Sequence, residues 1–235
     1  VSGVALVVVW PFAAMMTDAE VAAGVEAAHT AGRRAAAHAR ASDSVKRALR
    51  HGVDVIYHCD YADDEALDLL EAAKDRIFTG PAIGLTVSRL ESLRGDNTAE
   101  GRRWLERMTR QFEATCRVHH EMRKRGIRVV VGGDYGFAAN PQGTNARDLE
   151  HFVTHFGFSP SEALQAATRT GGEIMRRGHE LGLVKQGYLA DLLLVDGDPL
   201  KDVRVLQDRK RLALIMKDGV QYVPCAGAPH VRRLH

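Results

Sequence analysis

At 235 residues, 45% hydrophobic and 26% charged, the chain has a globular balance and room for one barrel-sized domain, with or without an appendage. A formal charge of +2, with no Lys/Arg run interleaved with aromatics, argues against a nucleic-acid partner. Cys59, Cys116 and Cys225 make no CxxC pair, which excludes a disulfide framework or zinc finger and matches a reducing, cytoplasmic compartment.

The opening "VSGVALVVVWPFAAMM" lacks a basic start, is broken by Pro11 and is too short to span a bilayer. It reads as a buried first strand over residues 4–9, so no membrane partner is expected. The chain also starts without Met, inside that strand, which leads us to expect that an N-terminal part is missing. Next comes a helix that opens on Thr17 with Glu20 three residues on, the capping-box spacing, and stops at Gly32. Residues 35–40, "AAAHAR", read as a strand, 42–52 as a helix, and 53–60, "VDVIYHCD", as a strand. A helix over 63–75 carries acids in its first turn, where the helix dipole favours them. A strand is predicted over 76–84, a polar loop over 88–101, a long helix over 102–126 and a strand over 127–131.

Two more helices follow, "ARDLEHFVTHFG" and "SPSEALQAATRTGGEIM". The second has Ser159 as N-cap, Pro160 at its first position and Glu162 at its third. After Leu181 the texture becomes strand-rich, with turn signals at Asp196–Pro199 and Asp218-Gly219. Successive strand–helix units imply a parallel sheet with right-handed crossovers. The expected fold is α/β: part of a (β/α)8 TIM barrel over residues 1–180, with a separate small β element and tail over 181–235.

"RVVVGGDYGF", residues 128–137, raises the functional question, because an apolar strand runs through two glycines into the carboxylate of Asp134. His38 and His58 stand at the ends of two other strands, and parallel α/β sheets collect their chemistry at that rim. Two imidazoles and a carboxylate suit Zn²⁺ or a similar divalent ion, which activates water and polarises a carbonyl. Packed histidines are the structural alternative.

Arg40 shares a strand face with His38, and could hold a substrate carboxylate or pair with Asp43 or Asp60. Tyr61 and Tyr135 are pocket candidates, whereas alternation turns Cys59, and by the same count Tyr57, away from His38. The stretch "GFAANPQGTNARD" has the make-up of a loop that covers a substrate, or of a simple connection.

Three runs, "RRAAAHARASDSVKRALRHGVDVIYHCDYADDEALDLL", "GIRVVVGGDYGF" and "LGLVKQGYLADLLLVDGDPLKDV", resemble the carboxyl-terminal half of the amidohydrolase superfamily. Within it they are most similar to the branch of imidazolonepropionase-like amidohydrolases, prolidase-like dipeptidases and phenylurea or thiocarbamate hydrolases. The resemblance implies a distorted (β/α)8 barrel with a mono- or binuclear metal centre, zinc by preference, and makes the β element over 181–235 strands of a small β-sandwich. His38 and His58 would be ligands, and Asp134 a ligand and proton shuttle. It also implies hydrolysis of an amide-type C–N bond in a dipeptide, cyclic amide, urea or carbamate. The expected partners are this small-molecule substrate and further copies of the chain in a homo-oligomer.

The sequence departs from the family in two ways. No His-x-His pair precedes His38, and the strand at 4–10 carries no lysine. The alternative is therefore a catalytically incomplete fragment that needs the missing N-terminal ligands, or a structural or binding α/β module.

Overall fold

The computed structural model describes residues 5–7, 16–222 and 231–233. It is mixed α/β, with one parallel and one antiparallel four-stranded sheet. The parallel sheet runs in order β1 (Ala5–Val7), β2 (Ala35–Ala41), β3 (Val55–Tyr61) and β4 (Phe78–Gly80). Of the first predicted strand, only residues 5–7 fall among the described residues. Residues 127–131 extend the sheet through a parallel bridge between Thr79 and Val129, where Thr79 donates to the Arg128 carbonyl at 2.9 Å and Val130 to that of Thr79 at 2.8 Å.

The helices form where capping and apolar spacing allow. α1 (Asp18–Thr30) carries the Thr17/Glu20 capping box and buries Val21, Val25 and Ala28. α2 (Ser42–Arg50) and α3 (Asp64–Ala72) follow, the latter capped by Asp63. The residues predicted as a loop over 88–101 instead begin inside α4 (Ile83–Leu93), and the strand predicted over 76–84 ends at Gly80. One stripe decides this, because Ile83, Leu85, Thr86 and Ser88 are buried beneath a polar outer face. α5 (Ala99–Lys124), capped by Thr98, starts three residues before its predicted position. α6 (Arg147–Phe156) ends at Gly157, whose φ of 73° is the left-handed cap that glycine tolerates. The last predicted helix is two, α7 (Pro160–Ala167) and α8 (Arg169–Ile174), broken at Thr168.

Alternation separates the two faces of the parallel sheet. Ala35, Ala37, Ala39, Ile56 and Val129 join the main core with α1, α2, α3, α5, α6 and α7. Ala36, Val55, Phe78 and Val130 form a small apolar layer on the other face, with Tyr57 against it. His38 and Arg40 share the parity of Ala36 and so stand above that layer. At the opposite end, the guanidinium groups of Arg34 and Arg128 lie over the Phe78 ring, 4.9 and 3.9 Å from its centroid.

The antiparallel sheet holds β5 (Leu192–Val195), β6 (Leu212–Lys217), β7 (Val220–Tyr222) and β8 (Val231–Arg233) in that order. Asp218 and Gly219 have φ of 51° and 73°, as a two-residue hairpin turn between β6 and β7 demands. Cys225 lies outside the described residues. Among those described, no helix is long and apolar enough to cross a membrane.

Within the core, α5 carries His119, fully buried and stacked on Phe156 with ring centroids 5.0 Å apart. Its Nδ1 donates to the Thr115 carbonyl at 2.9 Å. Burial pulls its pKa from the usual 6.5 down to about 4, and does the same for His151. A histidine with a depressed native pKa refuses a proton that the unfolded chain accepts. Its contribution is therefore whole above pH 6.5 and is lost as pH falls through the window down to about 4. Asp148, which burial pushes up to about 6 from 3.8, runs the opposite way and offsets one histidine. The thermal midpoint is expected to fall between pH 7 and 5, and less steeply in His119→Leu. Parallel pH profiles for the two proteins would refute this account.

Candidate active site

His38 sits in β2 on the face above the apolar layer, half-buried. Strict alternation in β3 would put His58 on the opposite face, with Ile56. It does not land there. His58 and Cys59 adopt φ of 78° and 56°, the left-handed region that non-glycine residues rarely occupy. The register jumps with them: Ala39 faces His58, yet Ala41 faces Tyr61, so β3 holds one extra residue. This bulge turns His58 onto the His38 side. Nδ1 of His38 and Nε2 of His58 lie 2.7 Å apart, and the rings are 4.8 Å between centroids.

Tyr57, expected to face the helices, instead keeps the regular parity of Val55 ahead of the bulge. Its ring is 5.8 Å from that of His38, on the layer side. Cys59, read as a buried small hydrophobe, is fully buried in the main core. Asp60 is 1% exposed and accepts from Arg40, from Thr115 Oγ1 at 2.8 Å and from Gln111 Nε2 at 3.1 Å. Of the two carboxylates considered for Arg40, the structure pairs it with Asp60. A second guanidinium nitrogen of Arg40 is 3.5 Å from His58 Nε2.

Both imidazoles are held neutral. Burial pushes the His58 pKa down to about 2, helped by the charge of the Arg40 guanidinium. Burial likewise lowers that of His38, against the opposing pull of the Asp134 carboxylate. Asp134 follows the extending strand, half-buried, with φ of 52°. Its charge is felt at His38 and also at Tyr57, whose pKa rises first through burial and then through Asp134. Tyr61 is half-buried, its pKa raised by burial and then by Asp60. Tyr135 turns its hydroxyl to Asp148 Oδ1 at 2.9 Å.

These donors suit a divalent ion in kind. Two imidazole nitrogens converge, and a carboxylate lies within electrostatic reach. They are not gathered into one shell, since among the described residues no three His, Cys, Asp or Glu side chains form a group able to hold a metal. Sequence reasoning missed Asn140, Ser88 and Asp148, which are buried around the Asp134 backbone. The only signal was the Gly-Gly before Asp134. A Cβ on Gly133 would stand 2.6 Å from Asp148 Oδ2, so that glycine permits a close approach.

The chain matches the model of the amidohydrolase family over residues 10–221. It is similar to an ochratoxinase of Aspergillus niger, with 25% identity over 210 residues that cover 89% of this chain and 42% of that protein. Among solved structures it is similar to a Xaa-Pro dipeptidase with methionine bound in its active site. That match has 27% identity and a TM-score of 0.78, and covers 93% of this chain and 54% of that one. The A. niger ochratoxinase structure matches at 23% identity and a TM-score of 0.80, over 93% of this chain and 50% of that one, a likeness of fold. The chain thus spans about half the length of the relatives it matches. The family match covers β2, β3 and β4 of the parallel sheet, which include both histidine strands, together with Asp134 and most of the antiparallel sheet. The chain belongs to the amidohydrolase family.

Proposed function

We propose that this chain forms part of a metal-dependent amidohydrolase that cleaves an amide-type C–N bond in a small molecule. In this reading residues 1–180 belong to a (β/α)8 barrel and residues 181–235 to a small β-sandwich. The observation that carries the proposal is the pair of neutral imidazole nitrogens 2.7 Å apart, brought together only because β3 is bulged. Family membership supports the reaction class, and the similarity to a Xaa-Pro dipeptidase supports a dipeptide ahead of a cyclic amide, urea or carbamate.

His38 and His58 would hold the ion, with Asp134 as third ligand. A bound divalent ion, zinc by donor chemistry and mono- or binuclear, would polarise the scissile carbonyl and acidify a water. Asp134 would take the proton from the attacking water and return it to the leaving nitrogen. Arg40 is oriented by Asp60 and so could meet a substrate carboxylate from a fixed direction. Tyr61 would line the pocket beside it. Tyr135 would serve indirectly, by holding Asp148. Two imidazoles and one carboxylate leave a four-coordinate ion at least one position for water or substrate.

Zinc titration by calorimetry tests the ligands: His38→Ala and His58→Ala should each weaken binding by about tenfold or more. Asp134→Asn should lower hydrolysis of Xaa-Pro dipeptides by about 10²–10⁴-fold. A chain that takes up no zinc, or alanine variants that bind it as the parent does, would sink the proposal.

Arg40→Ala has a separate readout. It leaves the buried Asp60 with only Thr115 and Gln111, and should lower urea-unfolding stability by about 3 kcal/mol, the low end for breaking a buried pair. An unchanged midpoint would mean that the pair does not anchor the site.

A further inference from the structure

The backbone that carries Asp134 is clamped. Asn140 is buried, and all four of its polar atoms are taken. Its Nδ2 donates to the carbonyls of Gly133 at 2.7 Å and Asp134 at 3.1 Å. Its Oδ1 accepts from Ser88 Oγ on α4 at 3.2 Å. Its backbone N–H donates to the Phe137 carbonyl, and its own carbonyl accepts from Gly136, both at 2.9 Å. Carbonyls can only accept, so the amide must present its NH₂ to residues 133 and 134 and its oxygen to Ser88. The Gly133 carbonyl also accepts from the Leu85 N–H at 2.9 Å, which ties the same peptide to the start of α4.

Asp148 presses from the other side. A Cβ at Gly84 would stand 2.8 Å from its Oδ1, and one at Gly133 would stand 2.6 Å from its Oδ2. The stretch that reads in the sequence as a cover for substrate thus turns back at 136–140 and delivers Asn140 beneath Asp134. The φ of 52° at Asp134 is left-handed, a region that few non-glycine residues occupy and that aspartate tolerates better than most.

We propose that Asn140 is a positioning residue. By fixing the Gly133 and Asp134 carbonyls it sets the left-handed turn at Asp134, and with it the direction in which the carboxylate meets His38. The inference rests on the reading of Asp134 as a metal ligand and proton carrier.

The test is zinc affinity and thermal midpoint, measured on the full chain for Asn140→Ala, Ser88→Ala and Asp134→Asn. Asn140→Ala is expected to weaken zinc binding by about tenfold, the range for residues that orient ligands. Ser88→Ala, which leaves the buried Asn140 Oδ1 without its donor, is expected to weaken it less and to lower the midpoint only slightly. If Asn140→Ala fails to fold, Ser88→Ala decides alone. Parent-like affinity in both Asn140→Ala and Ser88→Ala, beside a loss in Asp134→Asn, overturns the positioning role and leaves the reading of Asp134 intact. Parent-like affinity in Asp134→Asn overturns that reading, and this inference with it.

Discussion

The left-handed backbone at His58 and Cys59 is the constraint on which the site depends. A regular strand would carry Ile56 and His58 to the same face, and an imidazole would then be buried among the aliphatic side chains of the helix layer. The extra residue in β3 lets Ile56 and Cys59 fill that layer while Tyr57 and His58 both meet His38. Asp60 is then delivered to Arg40, Gln111 and Thr115. Left-handed geometry costs about 1–2 kcal/mol per residue. Hydrogen bonds to a charged group contribute about 1.5–3 kcal/mol each, so the contacts of Asp60 alone can offset it.

The electrostatics follow from that geometry. A metal-ligating imidazole must be neutral, and a protonated one cannot offer a lone pair. Burial disfavours the imidazolium at both histidines, and the neighbouring Arg40 disfavours it further. Left unpaired, Arg40 would place a bare cation beside the ligands. Asp60 answers it from below the surface, where burial raises its pKa and Arg40 and Thr115 pull it back down. The carboxylate of Asp134 is left half-exposed at the rim, where a substrate could reach it.

Much of this architecture was legible in the residues. Thr17/Glu20 and Ser159/Glu162 announce their helices because a side-chain cap is a local device, written within four residues. The alternation of apolar residues placed β2 and β3 and put His38 and His58 at the same rim, but the contact between them depends on the bulge. That Tyr57 and His58 share a face was not legible, because parity arguments assume an unbroken period of two and nothing in "VDVIYHCD" marks the bulge. α4 was hidden for a different reason. Its buried stripe includes Gly84, Thr86 and Ser88, which carry little hydrophobic signal, and burial there serves hydrogen bonding as well as packing. Asn140 was hidden because its partners are backbone carbonyls brought near by a turn that only the fold reveals.

Where strain collects completes the argument. Among the described residues, six non-glycine positions have positive φ. Asp218 belongs to a hairpin turn and Arg176 follows α8, so both have local explanations. The other four, His58, Cys59, Ala82 and Asp134, lie in β3 or after the next two strands of the parallel sheet. Turning His58 out of the regular alternation of β3 accounts for two of them, since regular strands send successive side chains to opposite faces. The hydrogen-bonded clamps beneath Asp134 and around Asp60 are where the fold supplies the restraint that this geometry needs.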